Sequence, residues 1–301
     1  MTSPQVRKVI DSNYLQCDTF REYLSKSSQH FAVLPDYVAM EAYKADTLEI
    51  LYRSMEILSK YPKRVLVLKS TQTVCGLSGR EAGLQKRLID QKQTRGFAEY
   101  LKHLIAARAG NRFLQMQLLD HARQAKLQMD RILSDAQDFG GALEGMEQQF
   151  ERGQVQIIRK GLPYTEEMRS TFIQHVLMIA ASMFRSHPRV TQLPNVVDLR
   201  NTFIFRVALC TYLLGHRWIA VGGAKQVKAT RIRNDLIDVI LATYATYFDG
   251  LLSADKKVNS IHNEARWLLA NVFVRPNKEE FQKIMGRNAS SFQSSFERSN
   301  G

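Results

Sequence analysis

The sequence predicts an α/β protein, a parallel-sheet core split by a large all-helical insertion. Three observations lead to it. Short β-branched runs alternate with helical patterns over the first seventy residues; strand signals then mostly vanish through a long series of amphipathic helices; and the alternation returns beyond Gly215. Strands that alternate with helices imply parallel pairing, with helices on both faces of the sheet. The expected organisation is a first half of the core at 1–70, an insertion at 71–215, a second half at 216–285 and a flexible tail at 286–301.

Val6 to Ile10 is the first strand, ended by Asp11-Ser12-Asn13, residue types that turn chains and cap helices. A helix starts at Asp18, and Phe31 to Leu34 is a second strand closed by Pro35-Asp36. A long helix follows from Asp36 to Lys60, with Val38, Met40, Leu48, Leu51, Met55 and Leu58 among its apolar positions, and Pro62 stops it. Arg64 to Lys69 is a third strand, nearly all apolar, as befits a strand covered on both faces. Helical spacings of apolar residues run from Arg95 to Arg131, and Gly140-Gly141 is expected to break that block. Pro163 opens another helix, whose Glu166 and Glu167 suit the positive end of the helix dipole. Val197 to Leu214 is the next helix, Trp218 to Val221 reads as a short strand, and Lys225 to Tyr247 is helical. Gly250 to Ala254 is a strand, Lys257 to Leu269 a helix, and Asn271 to Val274 a last strand ended by Arg275-Pro276.

The chain has 301 residues, of which 45% are hydrophobic and 24% charged, the composition of a soluble globular protein with a proper core. Its net charge of +13 favours anionic partners such as nucleic acid. Cys17, Cys75 and Cys210 are scattered, with no CxxC, and read as free thiols in a reducing compartment. The first residues lack the plan of a signal peptide. Phe172–Phe184 and Phe203–Leu214 are too short to span a membrane and are interrupted by His or Arg. A cytoplasmic protein without a membrane partner is expected, and those two stretches are read as core.

Carboxylates gathered at one mouth of a sheet repel one another unless a divalent cation neutralises them. Asp11 ends the first strand, Asp255 ends the strand at Gly250–Ala254, and Glu41 lies in the helix that leaves the second strand. Asp235 and Asp238, three residues apart, share one face of their helix. In open parallel sheets ligands collect beyond the carboxyl ends of the strands. Asp11, Glu41, Asp235, Asp238 and Asp255 are therefore expected to hold Mg²⁺ or Mn²⁺, with Asn13 binding a metal water or a phosphate oxygen. Arg231, Arg233, Lys256 and Lys257 flank these acids and are candidates for holding the scissile strand. Taken singly, each acid has another account: Asp11 as a turn or cap residue, Asp235 and Asp238 as a solvated face or as partners of Arg231 and Arg233.

The set resembles the PIN-domain nucleases. Val-Ile-Asp11-Ser-Asn is similar to the family's opening strand end, and Val-Leu-Pro-Asp-Tyr-Val-Ala-Met-Glu41 to its acidic helix after the second strand. Asn-Asp235-Leu-Ile-Asp238 and Leu-Leu-Ser-Ala-Asp255-Lys resemble the third and fourth motifs. The resemblance covers 6–70 and 216–276, and the helical segment between is longer than compact members carry. It implies a PIN-like fold and Mg²⁺- or Mn²⁺-dependent endoribonuclease activity, with Asp11, Glu41, Asp235 and Asp255 catalytic. It also implies a toxin-like effector held by an inhibitor protein. The insertion is the expected surface for such an inhibitor or for a second copy of the chain. A catalytically silent nucleic-acid-binding or regulatory protein with the same fold is the alternative. Basic residues from Arg80 to Arg131 can track a phosphate backbone, or serve as a solvated surface interleaved with acids. No phosphate-binding glycine loop, GxSxG or HExxH occurs.

Overall fold

The computed structural model describes residues 4–43, 48–190, 193–222 and 229–274, with the backbone alone at 131–145 and 229. The elements run β1 (Val6–Ile10), α1 (Asp18–Lys26), β2 (His30–Leu34), α2 (Asp36–Tyr43), α3 (Leu48–Ser59), β3 (Val65–Val67), α4 (Thr71–Cys75), α5 (Leu84–Leu88) and α6 (Gln91–Arg108). There follow α7 (Arg112–Glu147), α8 (Arg152–Lys160), α9 (Glu166–Ser186), α10 (Val196–Leu199), α11 (Phe203–Ala220), α12 (Ala229–Ala245), β4 (Leu251–Leu252) and α13 (Lys256–Asn271). The protein is mostly helical, with a small four-stranded sheet in the order β3-β2-β1-β4, parallel throughout.

Two compact units are distinguished. The first comprises Met1–Val74, Ala82–Ile132 and Tyr244–His262, and contains the whole sheet. Its register is fixed by the pairs Val9↔Val33, Val33↔Leu66 and Val9↔Leu251. Val9, Ile10, Ala32 and Val33 are fully buried, so the two central strands end in a dry interior rather than in water. Phe20 and Leu24 of α1 and Leu51, Met55 and Leu58 of α3 supply more of the core. Each such side chain contributes roughly 1.5–3 kcal/mol on full burial. Between α6 and α7 the chain reverses through Gly110, whose φ of 107° is a conformation glycine alone adopts readily. Asn111 then accepts the backbone N–H of Leu114 and starts α7.

The second unit comprises Cys75–Glu81, Leu133–Thr243 and Asn263–Gly301. Its core is the packing of α9 on α11, where Phe172, Val176, Ala180 and Phe184 meet a helix buried over most of its length. Two histidines lie inside it. The His216 and Tyr164 side chains bond through Nδ1 and hydroxyl at 2.6 Å, and His175 and Tyr212 do so at 2.8 Å. The rings of Phe150, Tyr164, Phe172 and Tyr212 surround that of His216.

Several expected elements differ. The helix expected at Val197–Leu214 is two, α10 and α11, parted where Thr202 caps the start of α11. The helix expected from Asp36 to Lys60 is described as α2 and α3, with 44–47 outside the described residues. Trp218 to Val221 is not a strand: α11 continues to Ala220, because Trp218 and Ile219 fall on the buried side of the same helical repeat as Leu214, and Gly215 packs without interrupting it. Asn271 to Val274 is not a strand either. It is the end of α13 and a turn in which Phe273 is buried with its ring edge-to-face against Phe205. Gly140-Gly141 does not end its helix; α7 passes through both, since about 1 kcal/mol per glycine is small beside the hydrogen bonding of a helix this long. The expected tail from Gly286 lies outside the described residues, as do Lys225 and Arg275-Pro276. No described helix is long and apolar enough to cross a membrane.

Burial pushes the His216 imidazole down to about 4, with the neighbouring His175 adding to it, and burial lowers His175 as well. From about pH 6.5, the value of an unperturbed imidazole, down to about 4 the unfolded chain takes up a proton that folded His216 refuses. Stability from this site is therefore lost as pH falls through that window, on the order of 3 kcal/mol. In urea denaturation followed by circular dichroism, the wild type is expected to lose more stability between pH 7 and pH 4.5 than a His216→Phe variant.

Candidate active site

The strand order puts a topological switch between β1 and β4. β2 and β3 lie on one side of β1, and β4 on the other. Crevices of this kind, beyond the carboxyl ends of parallel strands, are where open α/β sheets bind ligands. Asp11 follows β1 directly, and Ser253-Ala254-Asp255 follows β4.

Asp11 is only 4% exposed, because the strand before it ends in the interior. Its backbone N–H donates to Leu252 O at 3.0 Å, which joins the ends of the two strands. The Ser253 hydroxyl donates to its Oδ2 at 2.5 Å. Burial raises the Asp11 carboxyl above its ordinary value, and the charge of Glu41 raises it further. The Ser253 hydroxyl and the backbone N–H groups of Asn13 and Ser12 oppose that shift. The Ser12 hydroxyl bonds closely to Glu41 Oε2, and its oxygen lies 3.4 Å from Asp11 Oδ1. Two carboxylates from different elements thus meet at one hydroxyl.

The β4 side is built by local turns. The Asp255 N–H donates to the Ser253 hydroxyl at 3.0 Å, and the Asp255 Oδ1 accepts the Lys257 N–H at 2.6 Å, which caps the start of α13. Asn259 ties the turn down by donating to the carbonyls of Ser253 and Asp255, both at 2.8 Å. Asn13 Oδ1 accepts from the Ala254 N–H at 3.4 Å. Lys256 is exposed and Lys257 half-buried.

A further carboxylate lies at the carboxyl end of β2. Asp36 accepts the N–H and the hydroxyl of Thr71, each at 2.8 Å, and the Thr71 hydroxyl is 3.1 Å from that of Tyr244. Burial raises Asp36, and its bonds from Thr71 and Tyr37 counter this. The start of α2, which carries Glu41, is thereby tied to the end of β3.

Of the expected site residues, Asp11, Glu41, Asn13, Asp255, Lys256 and Lys257 belong to the first unit, where Asp11 meets Glu41 through Ser12 and Asp255 through Ser253. Asp235, Asp238, Arg231 and Arg233 belong to α12 in the second unit. Asp235 is buried and Asp238 half-buried. The Arg231 guanidinium stacks 4.8 Å from the Trp218 ring, and Arg233 donates to Asn234 Oδ1. Among the described residues no group of three His, Cys, Asp or Glu side chains is arranged to hold a metal ion. Magnesium-like cations can be held by one or two carboxylates with waters, and Asp11 and Glu41 are the pair that could do so. Sequence reasoning missed Ser253 and Asp36 as site residues. A serine two residues before an acid at a strand end is the one signal that pointed to Ser253, since such hydroxyls cap the turn that follows.

No family model matches the chain, and neither the curated proteins nor the solved structures contain a significant match to it.

Removing the Ser253 hydroxyl leaves a buried carboxylate oxygen without its donor. Ser253→Ala is expected to lower the unfolding free energy by about 1–3 kcal/mol in urea titrations at neutral pH. Ser253→Thr, which keeps the hydroxyl, is expected to lose less.

Proposed function

We propose that the chain is a divalent-metal-dependent nuclease of PIN-like type, which hydrolyses phosphodiester bonds in RNA. The observation that carries this reading is the meeting of Asp11 and Glu41 at the Ser12 hydroxyl, at the switch point of a parallel sheet. A buried carboxylate with a second carboxylate beside it is unfavourable in isolation, and a hard cation with oxygen ligands relieves both burdens. The donor set therefore fits Mg²⁺ or Mn²⁺, with Asp11 and Glu41 as the candidate ligands; Asp255, whose N–H bonds the Ser253 hydroxyl that holds Asp11, is a further candidate.

Bound there, the cation supplies an acidified water and steadies charge on the leaving oxygen. The chain's own residues do the remaining work. Ser253 holds Asp11 in one orientation, and Ser12 holds Glu41 against it. Asn13 and the exposed Lys256 are the candidates for meeting a phosphate oxygen. The resemblance to PIN-domain nucleases is what adds Asp235 and Asp238 as candidates; they belong to the other unit. The large positive net charge draws a polyanion toward the protein despite its acidic site.

The alternative is a nucleic-acid-binding protein without activity. Cleavage of labelled single-stranded RNA and DNA with Mg²⁺, with Mn²⁺ and with EDTA separates the two. Cutting that needs the metal is expected, faster on RNA. Asp11→Asn and Glu41→Gln are each expected to reduce it on the order of 100-fold or more, and Asp235→Asn to reduce it as well. Strand binding without cleavage under every condition, and no thermal stabilisation by Mn²⁺, would establish the binding protein instead.

A further inference from the structure

The carboxyl ends of the four strands form a row, and its charges are not distributed evenly. Asp11 and Glu41 occupy the middle with Asp36 after β2, and at the β4 side Asp255, whose carboxylate caps α13, precedes Lys256. Lys69 follows β3 by two residues, at one side of the row, and Lys256 follows β4, at the other. Lys69 is half-exposed and Lys256 exposed. The Lys69 segment is held at this end of the sheet from two directions. Its backbone N–H donates to Leu88 O at 2.9 Å, and two residues on, Thr71 gives its N–H and hydroxyl to Asp36 at the start of α2. From β3 to β4 there are three strand spacings, about 14 Å. That distance is a few nucleotides of an extended strand.

We propose that a single strand of RNA lies across the strand ends, perpendicular to the strands, with its phosphates held by Lys69 at the β3 side and Lys256 at the β4 side. This rests on the nuclease reading for its substrate. The physical reason lies in the sign of the charges. Phosphates are repelled by the acidic middle, so backbone contacts that hold the strand in place must come from cations at the flanks. One lysine beyond each outer strand supplies one contact on either side of Asp11. The scissile phosphate then falls between two anchored neighbours, which fixes its position without reading any base.

The test is binding of a labelled single-stranded RNA in EDTA, as a function of salt, by the full chain. Lys69→Ala and Lys256→Ala are each expected to weaken binding several-fold. Each is also expected to lower the slope of log affinity against log salt by about 0.7, the value of one single-strand phosphate contact. Lys63→Ala is the control, an exposed lysine before β3 at the opposite end of the same strand, and is expected to bind as the wild type does. A DNA strand of the same length should lose affinity in the same proportion, because a phosphate contact does not sense the 2′-hydroxyl.

The proposal is overturned if the RNA does not bind, if Lys69→Ala and Lys256→Ala bind as the wild type does, or if Lys63→Ala loses as much as they do. A loss confined to RNA would assign the lysines to the ribose and overturn the phosphate track. Because binding is read without metal, failure of the nuclease reading is separate. Lysine-dependent binding with no cleavage leaves the track standing, whereas cleavage that persists with binding unaffected by either lysine removes it.

Discussion

A carboxylate at the end of a buried strand is the constraint on which the rest of the first unit depends. Val9 and Ile10 are fully buried, so the next residue leaves the sheet with little water available, and that residue is Asp11. Its charge is tolerable only if donors come to it. The Ser253 hydroxyl comes from the turn after β4 and the backbone N–H groups of Ser12 and Asn13 from the turn after β1. The charge of Glu41, held by the Ser12 hydroxyl, works against that of Asp11. The same bonds that satisfy Asp11 thus bind the end of β4, a strand of only two residues, to the centre of the sheet. The short strand has few ladder bonds to hold it, and the Asp11–Ser253 contact supplies a fixed point just beyond them. Fold and site are built from one set of bonds.

Much of the sheet was legible in the sequence because its strands obey local rules. β1, β2 and β3 are short apolar runs ended by turn residues, and a parallel strand covered on both faces needs little else. The two strands wrongly expected, at Trp218–Val221 and Asn271–Val274, show the limit of those rules. Three or four apolar residues in a row cannot distinguish a buried strand from a buried turn of helix. α11 is buried nearly all round, and Arg217 with the exposed Ala220 is too little of a polar face in its final turn to reveal the helical period. Gly140-Gly141 misled for a related reason: glycine weakens a helix by a fixed small amount, whereas the strength of what surrounds it is a tertiary property.

Of the five acids expected together, Asp11 and Glu41 meet at one hydroxyl, whereas Asp235 and Asp238 belong to the other unit. Asp11 and Glu41 could be paired from their positions at the carboxyl ends of parallel strands. Ser253 could not, because what distinguishes it is a hydroxyl given to the buried Asp11 carboxylate across 242 positions of sequence. Asp36 illustrates the opposite error. Beside Pro35 it reads as a turn residue, and it does start α2, but its carboxylate is also spent on Thr71. That bond joins α2 to the segment after β3, and no sequence signal connects the two. The histidines of the second unit are similar. Scattered along the chain, they give no pattern, yet His175 and His216 are each matched to a tyrosine within one core.

The charge of the molecule and the charge of its sheet mouth have opposite signs, and this bears on the choice between an enzyme and a binder. A surface evolved only to hold a polyanion gains nothing from a buried carboxylate whose neighbour is another carboxylate. Both repel the ligand, and Asp11 is in addition held above its ordinary value by burial. Such an arrangement is unfavourable to the fold and to binding unless something positive enters it. A cation at that point would reverse the local sign, which is the physical argument for the metal proposed there. The unfavourable pair is thus the argument for the proposed enzyme over a protein that only binds. On that proposal the acids of the middle would act on a cation and the lysines of the flanks on phosphate.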